Sequence, residues 1–248
     1  MNKKSFVIPE YAPDNVKISV STRYGGYSEK PYDSLNLGLY TGDSITSVIK
    51  NFACYKKAAG IGELITLKQV HGTDILEVTE DNAADILLEE ADGLFTQVSG
   101  ISIGVVTADC IPVIITGDFS AAALHCGWRG LNAGIIDKAF GIFKSYGDTV
   151  RYAYIGVGIC SDCYEVKDDL VSCLNVNYRP ETALKKTDDF SYNLDLKRLT
   201  LNALVYNGLE REKAEISPLS SCCSDGFFSY RKSGGITGRM ITSVEIIK

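Results

Sequence analysis

Three side chains between residues 71 and 125 have the types needed for metal chemistry: His71, Cys110 and His125. The chain contains only two histidines, and both belong to this set. Each of the three follows an apolar run that predicts a buried strand, at residues 64–70, 101–106 and 121–124. Because strand ends bring side chains from distant parts of a sequence to one place, we expect the three to converge.

Two imidazoles and one thiolate form a ligand set that suits zinc. Three protein ligands would leave a fourth position for water or substrate, which is typical of catalytic rather than structural zinc sites. A structural role for each residue is the alternative, because a single buried cysteine is usually a small apolar residue. No short signature such as HExxH joins the three, so spacing alone leaves both interpretations open.

Half of the eight arginines lie in glycine-rich turns: Arg23, Arg129, Arg231 and Arg239. Glycine lets a backbone approach a ligand closely, and the planar guanidinium matches phosphate or carboxylate. We therefore expect these four arginines to bind an anionic substrate. Arg129 is the nearest to a candidate ligand, since it lies four residues after His125 and next to a predicted helix whose free N–H groups favour anions. Pairing with some of the 31 acidic residues is the alternative.

The composition is that of a globular protein, with 45% hydrophobic and 23% charged residues. A net charge of −6 disfavours general affinity for nucleic acids. The first residues carry two lysines but no apolar stretch behind them, and no apolar run is long enough to span a bilayer. We therefore expect a cytoplasmic protein without a membrane partner, and its eight cysteines fit a reducing compartment.

Several cysteines lie outside the candidate metal site. Cys160 and Cys163 have CxxC spacing, which fits redox chemistry or half of a zinc site. A closed four-cysteine site would need a second pair, and the vicinal Cys222–Cys223 is the only other close one. The pattern favours free thiols over a separate structural zinc. Cys54 and Cys173 fall in helix-like stretches, where we expect them to be part of the core.

Hydrophobic patterning predicts a mixture of strands and helices. Strands are predicted at residues 16–22, 64–70, 74–78, 101–107, 112–116, 121–125, 150–156 and 240–247, and helices at 47–59, 131–143, 165–174 and 193–209. The two kinds do not alternate strictly, so a mixed sheet covered by helices is favoured over a doubly wound parallel fold. We expect an α/β protein of the α+β type, with residues 1–248 in a single domain.

Six short motifs, spread over nearly the whole chain, resemble those of the YfiH/YlmD family. That family carries the names multicopper polyphenol oxidoreductase (laccase), purine nucleoside phosphorylase and peptidoglycan editing factor. The motifs occur in the family's order: Gln69-Val70-His71-Gly72, Ala91-Asp92-Gly93, Ala108-Asp109-Cys110-Ile111-Pro112-Val113, His125-Cys126-Gly127-Trp128-Arg129-Gly130, Phe227-Phe228-Ser229-Tyr230-Arg231 and Thr237-Gly238-Arg239.

The resemblance implies a single-domain α/β layered sandwich, with zinc held by His71, Cys110 and His125. It also implies phosphorolysis of adenosine, inosine, guanosine and methylthioadenosine, with adenosine deamination alongside, so that a purine nucleoside and phosphate would be the partners. The family usually has alanine where this chain has Cys126, which sets a second thiol beside the expected ligands.

The laccase name can be tested by counting ligands. A copper oxidase with several copper ions needs many imidazoles, and two histidines cannot supply them. A single copper ion held by the two histidines, one thiolate and Met240 remains an alternative to zinc.

These observations lead to a mechanistic hypothesis. Zinc would orient and polarise one reactant, while Arg23 and Arg129 would clamp phosphate. In deamination the metal would activate water, and Asp109 would carry the proton. Two alternatives remain: a metal-free pair in which His125 activates the Cys110 thiol of a hydrolase or deamidase, and the binding or editing of a peptidoglycan precursor.

Overall fold

The computed structural model describes residues 5–247, which contain three sheets and six α-helices. The strands are β1 (Phe6–Val7), β2 (Val16–Ser21), β3 (Glu63–Ile65), β4 (Ile75–Val78), β5 (Gly93–Thr96), β6 (Ile101–Thr107), β7 (Ile111–Thr116), β8 (Ala121–Cys126), β9 (Tyr152–Ile155), β10 (Glu165–Lys167), β11 (Leu184–Lys186), β12 (Ser191–Leu194), β13 (Ala214–Ile216) and β14 (Met240–Ile246). The helices are α1 (Ile45–Ala59), α2 (Trp128–Asn132), α3 (Ile135–Ser145), α4 (Asp168–Cys173), α5 (Leu196–Tyr206) and α6 (Tyr230–Ser233).

Two large sheets and one small sheet form the fold. The six-stranded sheet has the order β13-β9-β7-β8-β5-β4, the five-stranded sheet β1-β2-β14-β6-β3, and the small sheet β10-β12-β11. Both large sheets are mixed, because β4 runs parallel to β5 and β3 runs parallel to β6 while most other neighbours are antiparallel. The predicted mixed fold of the α+β type is confirmed.

The two large sheets pack face to face, and helices cover their outer faces. Alternation along β8 shows this directly: Ala121 and Ala123 belong to the core between the sheets, whereas Ala122 and Leu124 pack on the side of α3 and α5. Helix α1 covers the other face of the five-stranded sheet through Tyr55. The layers are therefore helix, sheet, sheet, helix. Within residues 5–247, no helix combines the length and apolar character needed to cross a membrane.

The prediction of a single helix at residues 131–143 is wrong, because the chain forms two helices there. Helix α2 ends at Asn132 and α3 begins at Ile135, and Gly134 between them has a φ of 91°, in the left-handed region that interrupts a helix. Leu131 and Phe143 nevertheless lie in one buried cluster. The four-residue spacing of the apolar residues therefore reflects a shared buried face and not a continuous helix.

Three other predicted segments also require correction. The strand expected at 64–70 ends at Ile65, so His71 lies in a loop and not at a strand end. The helix predicted at 165–174 begins with strand β10, and the helix predicted at 193–209 begins only at Leu196. Asp195 explains the last boundary, because its carboxylate accepts a hydrogen bond from the Arg198 N–H (2.9 Å) and caps the helix.

Two cysteines expected in the core differ in their surroundings. Cys54 is partly buried and packs against the cluster beneath α1. The expectation for Cys173 is wrong, because it ends the short helix α4 with its side chain exposed.

Candidate metal centre and active site

The structure brings His71, Cys110 and His125 together. Their potential ligand atoms all lie within 4.8 Å of one another. The Cys110 Sγ is 4.0 Å from the His71 Nε2, and the two imidazole rings have centroids 4.9 Å apart with planes inclined by 72°. Three soft or borderline donors thus face a common point, although they come from sequence positions up to 54 apart (125 − 71).

Strand register explains why Cys110 and His125 meet. In the pairing of β7 with β8, Pro112 lies opposite His125. Cys110 precedes Pro112 by two residues and therefore points to the same side of the sheet. That side is the one between the two large sheets, on which Ala123 also lies. Cys126 points the opposite way into the helix-covered core and is fully buried, so it is not part of the cluster.

A buried carboxylate, Asp92, fixes both histidines. Its Oδ1 accepts hydrogen bonds from the His125 Nδ1 (2.7 Å) and from the backbone N–H of His71 (2.9 Å). Its Oδ2 accepts from the backbone N–H groups of Gly72 (2.5 Å) and Val70 (3.2 Å). Because the carboxylate binds a proton on the Nδ1 of His125, the Nε2 is left free to face the centre, as in metal sites where a carboxylate orients a ligating histidine.

Hydrogen bonding also keeps Asp92 charged. Burial acts to raise the pKa of this carboxyl, but the hydrogen bonds from His125 and from the Gly72 and His71 amides hold the pKa below its ordinary value. The site therefore contains a permanent negative charge at neutral pH, directly behind one of the candidate ligands.

The side chain of Gln69 makes hydrogen bonds to strand β6 that the backbone of a longer strand β3 would make. Its side-chain Nε2 donates to the Val106 carbonyl (2.8 Å), and its Oε1 accepts from the Val106 N–H (2.7 Å). This pair of hydrogen bonds imitates the pairing that a neighbouring strand would make. The loop that carries His71 is thereby attached to the end of β6, even though its backbone is not part of the sheet.

Burial and charge set the protonation of Cys110 and His125 in the metal-free protein. Burial acts to raise the pKa of Cys110, but the neighbouring His125 and His71 lower it to about 6. Burial acts to lower the pKa of His125, but Cys110 and Asp92 raise it to about 9. A thiolate and an imidazolium therefore coexist at neutral pH, and the thiolate is the form that binds metals.

A cavity of about 530 Å³ opens directly in front of the three side chains. Its volume is typical of sites for small molecules. Its lining also includes two arginines and two tyrosines, Arg231, Arg239, Tyr164 and Tyr230. The Arg231 guanidinium lies 5.3 Å from the Tyr164 ring centroid, and that of Arg239 lies 5.6 Å from the Tyr230 ring centroid. The cavity lining thus combines the donor cluster with cations and aromatic rings.

The other two candidate arginines have different surroundings. Arg23 forms an ion pair with Asp33 (3.3 Å) and lies over the Phe228 ring at 4.9 Å. Arg129 belongs to α2 and lies over the Trp128 ring at 4.5 Å. Among the residues that the structure describes, those lining the cavity include neither of them. The four arginines of the glycine-rich turns are therefore divided between the cavity wall and its surroundings.

Asp109 lies in the cavity wall beside Cys110. Its backbone has a φ of 102°, which is rare for a residue with a side chain. One carboxylate oxygen accepts from the Ser221 hydroxyl (2.6 Å) and the other from the Arg231 backbone N–H (2.6 Å). Asp109 thus links the segment that carries Cys110 to the loop that carries Arg231.

Comparison with known proteins identifies the family to which the chain belongs. Residues 17–247 match the family described as multi-copper polyphenol oxidoreductase laccase. The chain belongs to this family. The match spans every motif on which the resemblance to YfiH and YlmD proteins was based.

Several known proteins are similar to this chain in sequence or structure. The purine nucleoside phosphorylase YfiH of Escherichia coli is 32% identical over 97% of this chain and 98% of its own. The purine nucleoside phosphorylase YlmD of Geobacillus stearothermophilus is 30% identical over 91% of this chain and 88% of its own. The crystal structure of the hypothetical protein YfiH of Bacillus licheniformis superimposes with a TM-score of 0.92 at 28% identity, covering 100% of this chain and 98% of that one. These matches confirm the predicted relationship to YfiH and YlmD.

The family's laccase name gains no support from Met240. Its sulfur accepts a hydrogen bond from the Phe228 N–H (3.0 Å), and its side chain is buried in the core between the sheets. It does not line the cavity in the part of the chain that the structure describes. The copper site that would have used this sulfur therefore has no geometric basis here.

Sequence reasoning missed four residues of the site as functional candidates. Asp92 was part of the motif Ala91-Asp92-Gly93, but no role was predicted for it. A carboxylate between an alanine and a glycine at the start of a strand is nevertheless a recognisable signal. Gln69 acts through a side-chain contact with a strand that is distant in sequence. Tyr164 lies in a loop and Tyr230 begins the short helix α6, and no periodic pattern marks such positions.

Proposed function

We propose that this chain is a zinc-dependent purine nucleoside phosphorylase, with adenosine deamination as a second activity of the same site. The observation that carries the proposal is the convergence of His71, Cys110 and His125 on a cavity whose lining also holds two arginines. The names of the YfiH and YlmD relatives support the type of reaction.

The donor set fits zinc on chemical grounds. Two imidazole nitrogens and one sulfur are ligands that zinc accepts, and three of them leave a position for a reactant. Asp92 fixes the tautomer of His125, and the lowered pKa of Cys110 makes its thiolate available at neutral pH. When bound, zinc would supply a Lewis acid and a template for one reactant.

Phosphate binding is assigned to the two arginines of the cavity lining. In phosphorolysis, a phosphate oxygen bonds to the anomeric carbon while the bond from that carbon to the purine breaks. The purine leaves with the electron pair. Arg231 and Arg239 line the cavity and offer forked N–H donors that suit phosphate. Arg239 is already oriented, because its Nη1 donates to the carbonyls of Thr237 (2.8 Å) and Gly238 (3.1 Å).

The earlier hypothesis that Arg23 and Arg129 clamp phosphate remains a separate prediction. Arg129 is exposed and is not among the residues that line the cavity, although its charge acts on Tyr164 in the lining. Arg23 is bound to Asp33. We therefore expect the two wall arginines to contribute most of the phosphate affinity, with a smaller contribution from Arg129.

Aromatic rings provide a place for the purine. Tyr164 and Tyr230 line the cavity together with the aliphatic Leu67, Val106 and Ile159. A flat purine can stack on a tyrosine ring and exclude water from the apolar part of the wall. For deamination, Asp109 is the proposed proton carrier, since it lies beside Cys110 and its hydrogen bonds from Ser221 and Arg231 hold the carboxylate in the wall.

A second candidate function has a specific observation in its favour. Asp92, His125 and Cys110 form a chain of contacts in which a buried carboxylate orients an imidazole beside a thiol whose pKa is about 6. Such an arrangement can act without metal, with Cys110 as the nucleophile of a hydrolase or deamidase. A thiol-alkylating reagent would then abolish turnover in the presence of a chelator, and the active protein would contain no metal at His71, Cys110 and His125.

One experiment separates these functions. We expect purified protein to contain zinc and to convert adenosine and phosphate to adenine and ribose 1-phosphate. Cys110→Ala and His125→Ala should each lose both the zinc of this site and the turnover. Cys173→Ala, which removes an exposed thiol, is the matched control and should retain both. Full phosphorolysis by a variant or preparation without metal would refute the proposal.

A further inference from the structure

A second group of thiols lies outside the candidate active site. The Cys223 Sγ is 3.2 Å from the Cys160 Sγ and 3.2 Å from the Cys163 Sγ. All three sulfurs lie within 4.8 Å of one another. Cys160 and Cys163 come from the loop that follows β9, and Cys223 comes from the loop between β13 and α6. Two segments that are 60 residues apart in sequence therefore meet through sulfur.

We propose that this thiol cluster is a second metal site, which binds a structural zinc ion. Zinc with four sulfur ligands at about 2.3 Å requires sulfurs separated by about 3.8 Å. The separations here, from 3.2 Å up to 4.8 Å at most, bracket that value, so small side-chain rotations would suffice. The CxxC spacing of Cys160 and Cys163 places two ligands on one turn, which is a common feature of structural zinc sites.

Cys222 is the candidate for the fourth ligand. It is adjacent to Cys223 in sequence, and its thiol acts to raise the pKa of Cys163, although its sulfur is not among the three that lie within 4.8 Å of one another. With Cys222 the site has four cysteine ligands from two segments, which is the closed arrangement typical of structural zinc. The sulfurs lie near the surface, with Cys223 exposed and the others partly buried, so the ion has a path to the site.

Positive charges surround the thiol cluster. The Lys232 Nζ donates to the Cys222 carbonyl (3.2 Å), and the Arg231 Nη1 donates to the Cys163 carbonyl (3.3 Å). The largely buried Lys197 Nζ donates to the carbonyls of Ser217 (2.7 Å) and Leu219 (2.6 Å), and the charge of the Cys160 thiolate acts on it. Four thiolates around one divalent ion carry a net charge of −2, and these three cations offset it.

The position of this site gives it a structural role. Tyr164 follows Cys163 directly, and Tyr230 and Arg231 follow the loop that carries Cys223. These residues line the cavity. A metal ion that joins the two loops would restrict their motion in the folded protein and would stabilise the folded state, because the site is not formed in the unfolded chain. The inference does not depend on the nucleoside reaction, because it concerns different ligands and a different ion.

A disulfide among the same thiols is the competing chemistry. It would release two protons and two electrons and would need an oxidant. A metal instead keeps all sulfurs reduced and releases only protons. The two states are distinguished by counting reduced thiols and bound metal in the same sample.

The test uses the full-length Cys110→Ala variant, in which the active-site ligand set is broken. We expect this variant to bind one Co²⁺ ion under reducing conditions, with an intense sulfur-to-cobalt charge-transfer band, and to bind one Zn²⁺ in competition. Adding Cys160→Ser and Cys163→Ser in the same background should abolish the band. Adding Cys54→Ser instead is the control and should leave the band unchanged. No thiolate band in Cys110→Ala, or the same band after the two serine substitutions, would overturn the proposal.

Alkylation of the unaltered chain tests the site without relying on the folding of a variant. In zinc-loaded protein, Cys160, Cys163 and Cys223 should resist alkylation until a chelator is added, whereas Cys173 should react at once. Equal reactivity with and without zinc would overturn the proposal, and so would a disulfide found among these cysteines in freshly reduced, zinc-treated protein.

Discussion

Two groups of residues in the cavity lining are held in different ways. His71, Cys110 and His125, the metal side, are fixed by strand register and by a carboxylate with no exposed surface, which makes four hydrogen bonds around them. Arg231 and Arg239, the anion side, lie in the short helix α6 and in the segment before β14, where tyrosine rings and backbone carbonyls contact the guanidinium groups. The comparison indicates a metal side preorganised by the sheets and an anion side held by contacts outside them.

This difference has consequences for binding. A metal requires its ligands within a few tenths of an ångström, so preorganisation raises affinity and selectivity. A substrate that enters and leaves needs a wall that can move. We therefore expect substitutions on the metal side to act on metal affinity and those on the other side to act on the KM for phosphate. The predictions below run from the largest expected effect to the smallest.

The first prediction concerns the thiol of Cys110 in metal-free protein. Its pKa of about 6 lies below the ordinary value of 9.0, so the thiolate persists above pH 6 and is lost as the pH falls through 6. At pH 7 its thiolate fraction should exceed that of an ordinary cysteine by about a hundredfold. The rate of Cys110 alkylation, followed by peptide mass spectrometry against pH, should therefore rise near pH 6 and then level off.

Cys126 is an internal control for that reaction. It is buried, and because burial raises the pKa of its thiol, it should not react in the folded protein. If the rate of Cys110 alkylation did not rise near pH 6, the two imidazoles would not be acting on the thiol, and the account of the preorganised cluster would be wrong.

The second prediction is that Asp92→Asn lowers zinc affinity at the active site by about 10- to 100-fold. In the variant, an N–H₂ group would replace the second carboxylate oxygen, which accepts hydrogen bonds from backbone N–H groups. Donors would then face donors, so the loop carrying His71 would shift. Competition with a chromophoric chelator measures the change. The control is Asp74→Asn, which alters an exposed carboxylate paired with Lys138, and it should retain wild-type affinity.

The third prediction is that Arg239→Ala raises the KM for phosphate by at least about tenfold, because one charged hydrogen-bonding group contributes about 1.5–3 kcal/mol. Zinc content should not change, since the guanidinium is not a ligand. Arg129→Ala serves as the comparison and should change the KM for phosphate less. An equal effect of the two substitutions would mean that Arg129 binds phosphate as strongly as the cavity lining does.

The fourth prediction concerns Gly127, whose backbone lies against the metal side. A methyl group added there would be 3.0 Å from the His71 Cδ2 and 3.2 Å from the Cys110 Sγ. The neighbours must yield by a few tenths of an ångström, so Gly127→Ala should lower zinc affinity a few-fold. In the control Gly141→Ala, the added methyl group meets nothing within 4 Å, and zinc affinity should stay unchanged.

The sequence predicted that His71, Cys110 and His125 would converge, because alternation and strand ends are local features. Cys110 and His125 flank strands whose apolar patterns are clear, and pairing of β7 with β8 brings them to one side. The layered mixed fold followed from the irregular order of strands and helices together with the family motifs. Helix boundaries such as Gly134 were missed, because burial of Leu131 and Phe143 on one face gives the same spacing whether or not the helix is continuous.

Long-range contacts explain what the sequence could not reveal. The role of Gln69 depends on Val106, which lies 37 positions away, and the thiol cluster depends on two loops meeting. The four arginines looked alike in their glycine-rich turns, yet only tertiary packing decides that Arg239 lines the cavity while Arg23 pairs with Asp33.

The central claim is that His71, Cys110 and His125 bind one zinc ion at the wall of the cavity. Anomalous diffraction at the zinc edge, from crystals of the zinc-loaded protein, tests it most directly. We predict an anomalous peak about 2.0–2.1 Å from one nitrogen of each imidazole and about 2.3 Å from the Cys110 sulfur. An active, zinc-loaded protein whose anomalous map contains no peak among these three side chains would contradict it.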